Sequence, residues 1–143
     1  MGQKQITVIE ATEKKNIIRT GAYCRVSSNS ADQLHSFSAQ VQYYTRIIQN
    51  NSNMELVDIY ADEGFTGTKT DKREEFNRMI ADCRKGRLDR ILTKSVSRFA
   101  RNTVDALKYA RLLREYGVSI LFEKEDIDTA YMSSELLPAL SSA

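Results

Sequence analysis

Four apolar runs of strand character alternate with three amphipathic stretches of helix character along this chain, and that alternation leaves very few folds open. Ile17 to Val26 is apolar, rich in Tyr, Val and Ile, and reads as a buried strand interrupted by Gly21. Ser36 to Asn50 places Phe37, Val41, Tyr44 and Ile48 on one helical stripe. Glu55 to Tyr60 reads as a second strand, and Ala61 to Lys72, with Gly64 and Gly67, as a flexible loop. Asp71 followed by Glu74 resembles a capping box for the next helix, whose stripe is Phe76, Met79, Ile80 and Cys83. Lys85-Gly86 closes it, and Leu88 to Thr93 is the third strand. Asn102 suits an N-cap for a helix running to about Tyr116, with Ala106, Tyr109, Ala110 and Leu113 on one face, and Gly117 supplies the stop. Val118 to Phe122 is the fourth strand, and a last helix is expected from Ser133 or Ser134. Strands alternating with helices argue an α/β domain with a mostly parallel sheet of four to five strands flanked by helices.

A chain of 143 residues fits one such domain, and 41% hydrophobic with 28% charged residues is a globular composition. Residues 1–16 are polar and aperiodic and read as a flexible N-terminal tail, leaving 17–143 as the folded domain. The net charge of +2 says little, but residues 84–101 carry seven basic side chains against Asp89 alone. That concentration suits a polyanion. Cys24 and Cys83 have no paired spacing and no histidine companions, which argues against a disulfide framework or a zinc site and fits a reducing cytoplasm. No signal-peptide pattern is visible, and no apolar run is long enough to span a membrane.

In open α/β sheets, sites lie beyond the carboxyl ends of the strands. The first strand ends at Arg25-Val26-Ser27, the second at Asp62 and the third at Lys94-Ser95. If the chain turns helical after Lys94, then Ser95, Arg98 and Arg101 share one helical face. Guanidinium forks of this kind suit a phosphate. Tyr23, Arg25 and Ser27 alternate along their strand and so project to one side. A serine hydroxyl beside arginines has the parts for attack on phosphorus. Ser28, Ser30 and Ser95 are rival nucleophiles, but only Ser27 continues the alternation. The lone histidine, His35, reads as a surface or helix-start residue, and Asp126 and Asp128 as solvated loop carboxylates.

Tyr23-Cys24-Arg25-Val26-Ser27, Gln40, Tyr60-Ala61-Asp62, Gly67, Arg73 and Ser97-Arg98-Phe99-Ala100-Arg101 resemble, in that order, the catalytic domain of the serine site-specific recombinases, the resolvase/invertase family. The Ser-Arg-Phe-Ala-Arg run is more similar to the large serine recombinases and transposon recombinases than to the small resolvases. The resemblance implies a resolvase-like fold and DNA strand exchange through a 5′-phosphoserine link, in integration, excision or transposition. Ser27 would be the nucleophile, and Arg25, Arg98 and Arg101 would bind phosphate. Tyr23, Gln40, Asp62 and Arg73 match supporting positions that hold the arginines or approach the phosphate. It further implies double-stranded DNA as partner, a homodimer or tetramer for a longer parent, and no nucleotide cofactor or metal. Family members continue the last helix for subunit contact and follow it with DNA-recognition domains, so the chain reads as a catalytic-domain fragment, largely monomeric alone, with Leu136 to Leu140 left little to pair through. Two departures stand out. Ser97 occupies a position where many small members have an acid, and Asp82 falls near a lysine of some members. Two other readings remain open: a non-catalytic DNA- or partner-binding module, and a metal-dependent nuclease using Asp62, Asp89 and Asp126.

Overall fold

A computed structural model of the chain describes residues 16–27, 36–64 and 73–142. In chain order the elements are β1 (Ile18–Val26), α1 (Phe37–Gln49), β2 (Met54–Glu63), α2 (Glu74–Arg84), β3 (Arg90–Thr93), α3 (Val96–Phe99), α4 (Thr103–Glu115), β4 (Ser119–Phe122) and β5 (Ile127–Asp128). Short 3₁₀ turns follow at Thr129–Tyr131 and Leu137–Ser142. The sheet order is β2-β1-β3-β4-β5, with β1 to β4 parallel and β5 antiparallel at the edge. This bears out the α/β expectation, and β5 adds a strand that the apolar pattern does not reveal.

Each sheet face buries its own core. On one side Ala22, Cys24 and Leu92 meet Tyr44 and Ile48 of α1. On the other, Tyr23, Tyr60, Ile91, Ile120 and Phe122 meet α2, α3 and α4 through Phe76, Met79, Phe99 and Leu113. The buried stripe of α1 is Gln40, Tyr44 and Ile48, whereas Phe37 is 55% exposed. A glutamine therefore takes the place on the stripe that the apolar pattern gave to Phe37 and Val41.

The pairing of β1 with β2 slips once, at Thr20/Gly21: Leu56 pairs with Thr20 and Asp58 with Gly21, so Val57 is an extra residue in β2. Met54 and Leu56 before it, and Ile59 and Ala61 after it, all pack on the α1 side. Tyr60 consequently lies in the opposite core, against α2. Strand β2 also runs on to Glu63, pairing with Val26, so residues 61–63, expected in a loop, are strand.

Three further expectations are corrected. The helix after Lys94 is only four residues long and ends at Phe99, because Ala100 is extended and Asn102, with φ −154°, caps the next helix. Ser95, Arg98 and Arg101 therefore share no continuous helical face. A helix this short cannot hold itself together. It is pinned by Phe99, fully buried edge-on among Tyr23, Phe76, Tyr109 and Phe122. Edge-to-face ring pairs contribute about 0.5–1.5 kcal/mol each beyond simple burial. The segment after Ser133 turns as 3₁₀ helix, and Leu137 and Leu140 are buried in the core against α4 instead of lying unpaired. Finally, the cap of α2 is not a local box. Its N-cap is Arg73, which makes no side-chain cap bond, and Asp71 lies outside the described residues. His35, Ser28, Ser30, Gly67 and the tail through residue 15 also lie outside them.

Candidate active site

The chain leaves β1 through α1 to one neighbour and reaches β3 on the other, so the strand order reverses between β1 and β3. Such a switch point opens a crevice at the carboxyl ends. A cleft of about 10 Å³ sits there, lined by Tyr23, Cys24, Arg25, Gln40, Tyr44, Lys94 and Arg98. Four of the eight residues singled out from sequence, Tyr23, Arg25, Gln40 and Arg98, thus meet at one point. Ser27 follows β1 by one residue and is 8% exposed. Arg101 lies past α3, exposed, and is not among the lining residues.

Gly64 explains how Arg25 fits. Its amide donates to Val26 O at 3.1 Å, closing the end of the β1–β2 pair. A Cβ on Gly64 would collide with the Arg25 side chain nitrogen Nε, so only glycine leaves that guanidinium its course.

Asp62 and Arg73 stand behind the cleft as a support. Asp62 is 4% exposed and accepts three hydrogen bonds: from the Tyr23 hydroxyl at 2.8 Å, Glu75 N–H at 2.9 Å and Phe76 N–H at 3.0 Å. It therefore caps α2 from the end of β2, taking amides that a local cap would otherwise satisfy. Burial pushes the Tyr23 phenol well above its ordinary value, the Asp62 charge adding to this and Arg73 opposing it, so Tyr23 is a neutral donor. Arg73 donates to the Phe99 carbonyl and lies 3.7 Å over the Phe76 ring. It joins the start of α2 to the end of α3. Asp82, in turn, accepts from Tyr60 at 2.6 Å and Arg87 at 3.2 Å.

The basic run of residues 84–101 does not form one patch. Arg84, Lys85 and Arg87 precede β3, while Lys94, Arg98 and Arg101 follow it. Arg87 pairs with Asp82 and Arg90 with Asp128. Four residues of strand separate the two groups by roughly 13 Å, and of the second Lys94 and Arg98 line the cleft. Two of the three carboxylates of the nuclease reading, Asp62 and Asp89, also lie apart. Asp89 is bound to Arg19 near the start of β1, whereas Asp62 pairs with Arg25 near its end, about 20 Å along the strand. Among the described residues no group of three His, Cys, Asp or Glu side chains could hold a metal ion.

Sequence reasoning named Lys94 only as a cation and gave Tyr44 no part beyond the helical stripe. Both line the cleft, Lys94 as the first residue past β3 and Tyr44 one turn from Gln40.

Arg25, Lys94 and Arg98 thus meet at the switch point of a mostly parallel α/β domain, with Ser27 one residue past β1. The family model described as Resolvase, N terminal domain, matches residues 20–143, and the chain belongs to that family. It is similar to a resolvase family site-specific recombinase from Streptococcus pneumoniae, with 30% identity over 87% of this chain and 84% of that one, and a TM-score of 0.71. The N-terminal catalytic domain of TP901-1 integrase is 27% identical over 87% of this chain and 92% of that one, with a TM-score of 0.70. The C-terminal catalytic domain of ISC1926 TnpA, an IS607-like serine recombinase, shares the fold at 22% identity over 73% and 69%, with a TM-score of 0.59. Among curated proteins nothing matches. Among the described residues no helix is long and apolar enough to cross a membrane.

Proposed function

We propose that the protein carries out site-specific recombination of double-stranded DNA by cutting and rejoining strands through a phosphoserine intermediate. The observation that carries this reading is that Arg25, Lys94 and Arg98 line one cleft at the end of β1, the strand that Ser27 follows by one residue. Ser27 Oγ forms a bond to the scissile phosphorus as the bond to the 3′ oxygen breaks. The serine proton is lost, and a proton is taken up at the leaving 3′ hydroxyl. Arg25, Arg98 and Arg101 stabilise the charge that grows on the equatorial oxygens. One phosphodiester replaces another, so a 3′ hydroxyl of a second strand reverses the step with no nucleotide consumed. Gln40 lines the cleft, and Tyr23, Asp62 and Arg73 fix the elements behind it. Two duplexes must be held in register, which calls for a dimer or tetramer. The chemistry fits integration, excision or transposition, in the cytoplasm.

The test uses duplexes of random sequence with a bridging 3′-phosphorothiolate, whose thiolate leaves readily and re-attacks poorly. The protein should give a detergent-stable protein–DNA adduct in excess chelator. Ser27→Ala should give none while binding DNA within about twofold, because the hydroxyl makes the bond and few binding contacts. An adduct that persists in Ser27→Ala moves the nucleophile elsewhere. Cleavage that returns only with magnesium favours a nuclease, and binding without any adduct favours a non-catalytic module.

A further inference from the structure

The turn of residues 123–126 between β4 and β5 touches both walls of the cleft. Its backbone extends the sheet past β3, with Glu123 N–H donating to Thr93 O at 3.0 Å and Lys124 N–H to Lys94 O at 2.7 Å. Asp126, at φ 54°, turns the chain back into β5. Two carboxylates leave this turn toward different helices. Glu125 Oε1 accepts the Val96 N–H, the first amide of α3, at 3.1 Å. Glu123 Oε2 accepts the Tyr43 hydroxyl of α1. The neighbouring Tyr44 hydroxyl is buried close enough to feel the Glu123 charge.

Those contacts converge on the cleft. Glu125 holds the first turn of α3, which carries Arg98, while Ser95 Oγ takes the Arg98 amide at 3.2 Å. Glu123 holds α1 beside Tyr44, which lines the cleft with Gln40. A one-turn helix takes its position from such tethers, and an acid at its start also opposes its dipole favourably. Carboxylates near an anion site repel the ligand, so their effect on the reaction must come through what they hold.

We propose that Glu125 is a positioning residue for Arg98, and that Glu123 plays the matching part for Gln40, so that one turn sets the spacing across the cleft. This rests on the reading above, in which Arg98 meets the scissile phosphate.

The experiment measures adduct formation on the phosphorothiolate duplex at saturating protein, DNA affinity, and hydrogen exchange of the Val96 amide. Glu125→Ala should slow adduct formation about tenfold or more with affinity within about twofold, since small misplacements of a reacting group cost that much. The Val96 amide should exchange faster. Glu125→Gln should restore most of the rate, because its amide oxygen still accepts from Val96. In an Arg98→Lys background the further cost of Glu125→Ala should fall below about threefold, the mark of two residues acting through one contact. Glu123→Ala should behave likewise against Gln40→Ala. Losses that multiply fully in the Arg98→Lys background, an unchanged rate in Glu125→Ala, or a Glu125→Gln as slow as the alanine would overturn the proposal. Absence of adduct from the unsubstituted protein would instead overturn the reaction it rests on. Should Glu125→Ala fail to fold, Glu125→Gln and the Val96 exchange still decide.

Discussion

Replacing Asp62 by alanine tests the support behind the cleft more directly than any change inside it. The carboxylate serves the Tyr23 hydroxyl and two first-turn amides of α2 at 2.8, 2.9 and 3.0 Å. A buried donor left without an acceptor costs about 1–3 kcal/mol, and a lost helix cap about 0.5–2 kcal/mol. Glu75 is partly exposed and water can serve its amide, so the sum falls near 3–4 kcal/mol rather than at the upper limit. Against a usual total of about 5–15 kcal/mol this is a large share. With a urea slope of about 2 kcal/mol per molar, the unfolding midpoint should drop by about 1.5–2 M at unchanged slope. Circular dichroism during urea titration reads it. Tyr23→Phe, which removes one donor and leaves the helix cap, should cost only about 1 kcal/mol. The reasoning fails if Asp62→Ala costs less than about 1 kcal/mol, or if Tyr23→Phe costs as much as Asp62→Ala.

Cys24 and Cys83 are buried, and burial pushes both thiols up to about 12; neither should react with an aromatic disulfide at pH 8 until urea unfolds the chain, and rapid native labelling of either would contradict the core assignment. Hydrogen bonds from Arg19 hold Asp89 below its ordinary value. A depressed carboxylate stabilises above its unfolded pKa and loses that effect as pH falls through the folded one. Asp89→Asn should therefore lower the melting temperature slightly at neutral pH and not at all near pH 2; a gap that persists in acid would refute it. The 143-residue chain should bind duplex DNA weakly and without sequence preference, through Arg25, Lys94, Arg98 and Arg101, with a log–log salt slope of about −3 to −4. Titration of two unrelated duplexes at two salt concentrations checks this, and a preference surviving at high salt would reveal a base-reading element.

The long elements were legible because each strand run is apolar and bounded, and each helix carries a stripe of period 3.6. Two residues of β5 are too few for any period to show. The shared face of Ser95, Arg98 and Arg101 failed for a reason also written in the chain: an N-cap at Asn102 needs non-helical backbone, so the helix before it had to stop. Asp62 as the cap of α2 was out of reach of a local pattern, since it stands thirteen residues before Glu75. The basic run misled because neighbours along a strand lie at opposite ends of it in space. Within the site, the Arg25, Gln40 and Arg98 grouping followed from strand ends and the motif, whereas Glu123 and Glu125 act from a turn that carries no motif of its own.

Val57 is the one residue of β2 that its neighbour does not count. Upstream of it, even-numbered residues of β2 face α1; downstream, odd-numbered ones do. Deleting this one residue, 43% exposed and remote from the cleft, would join Leu56 to Asp58 in a regular strand, with everything from Asp58 to Glu63 keeping its face and its β1 partner. Tyr60 and Asp62 would stay turned toward α2, and Asp62 toward Tyr23. A further deletion between 58 and 61, with the bulge already gone, would turn Asp62 to the α1 face. The strand thus has one residue of length to spare and no second one.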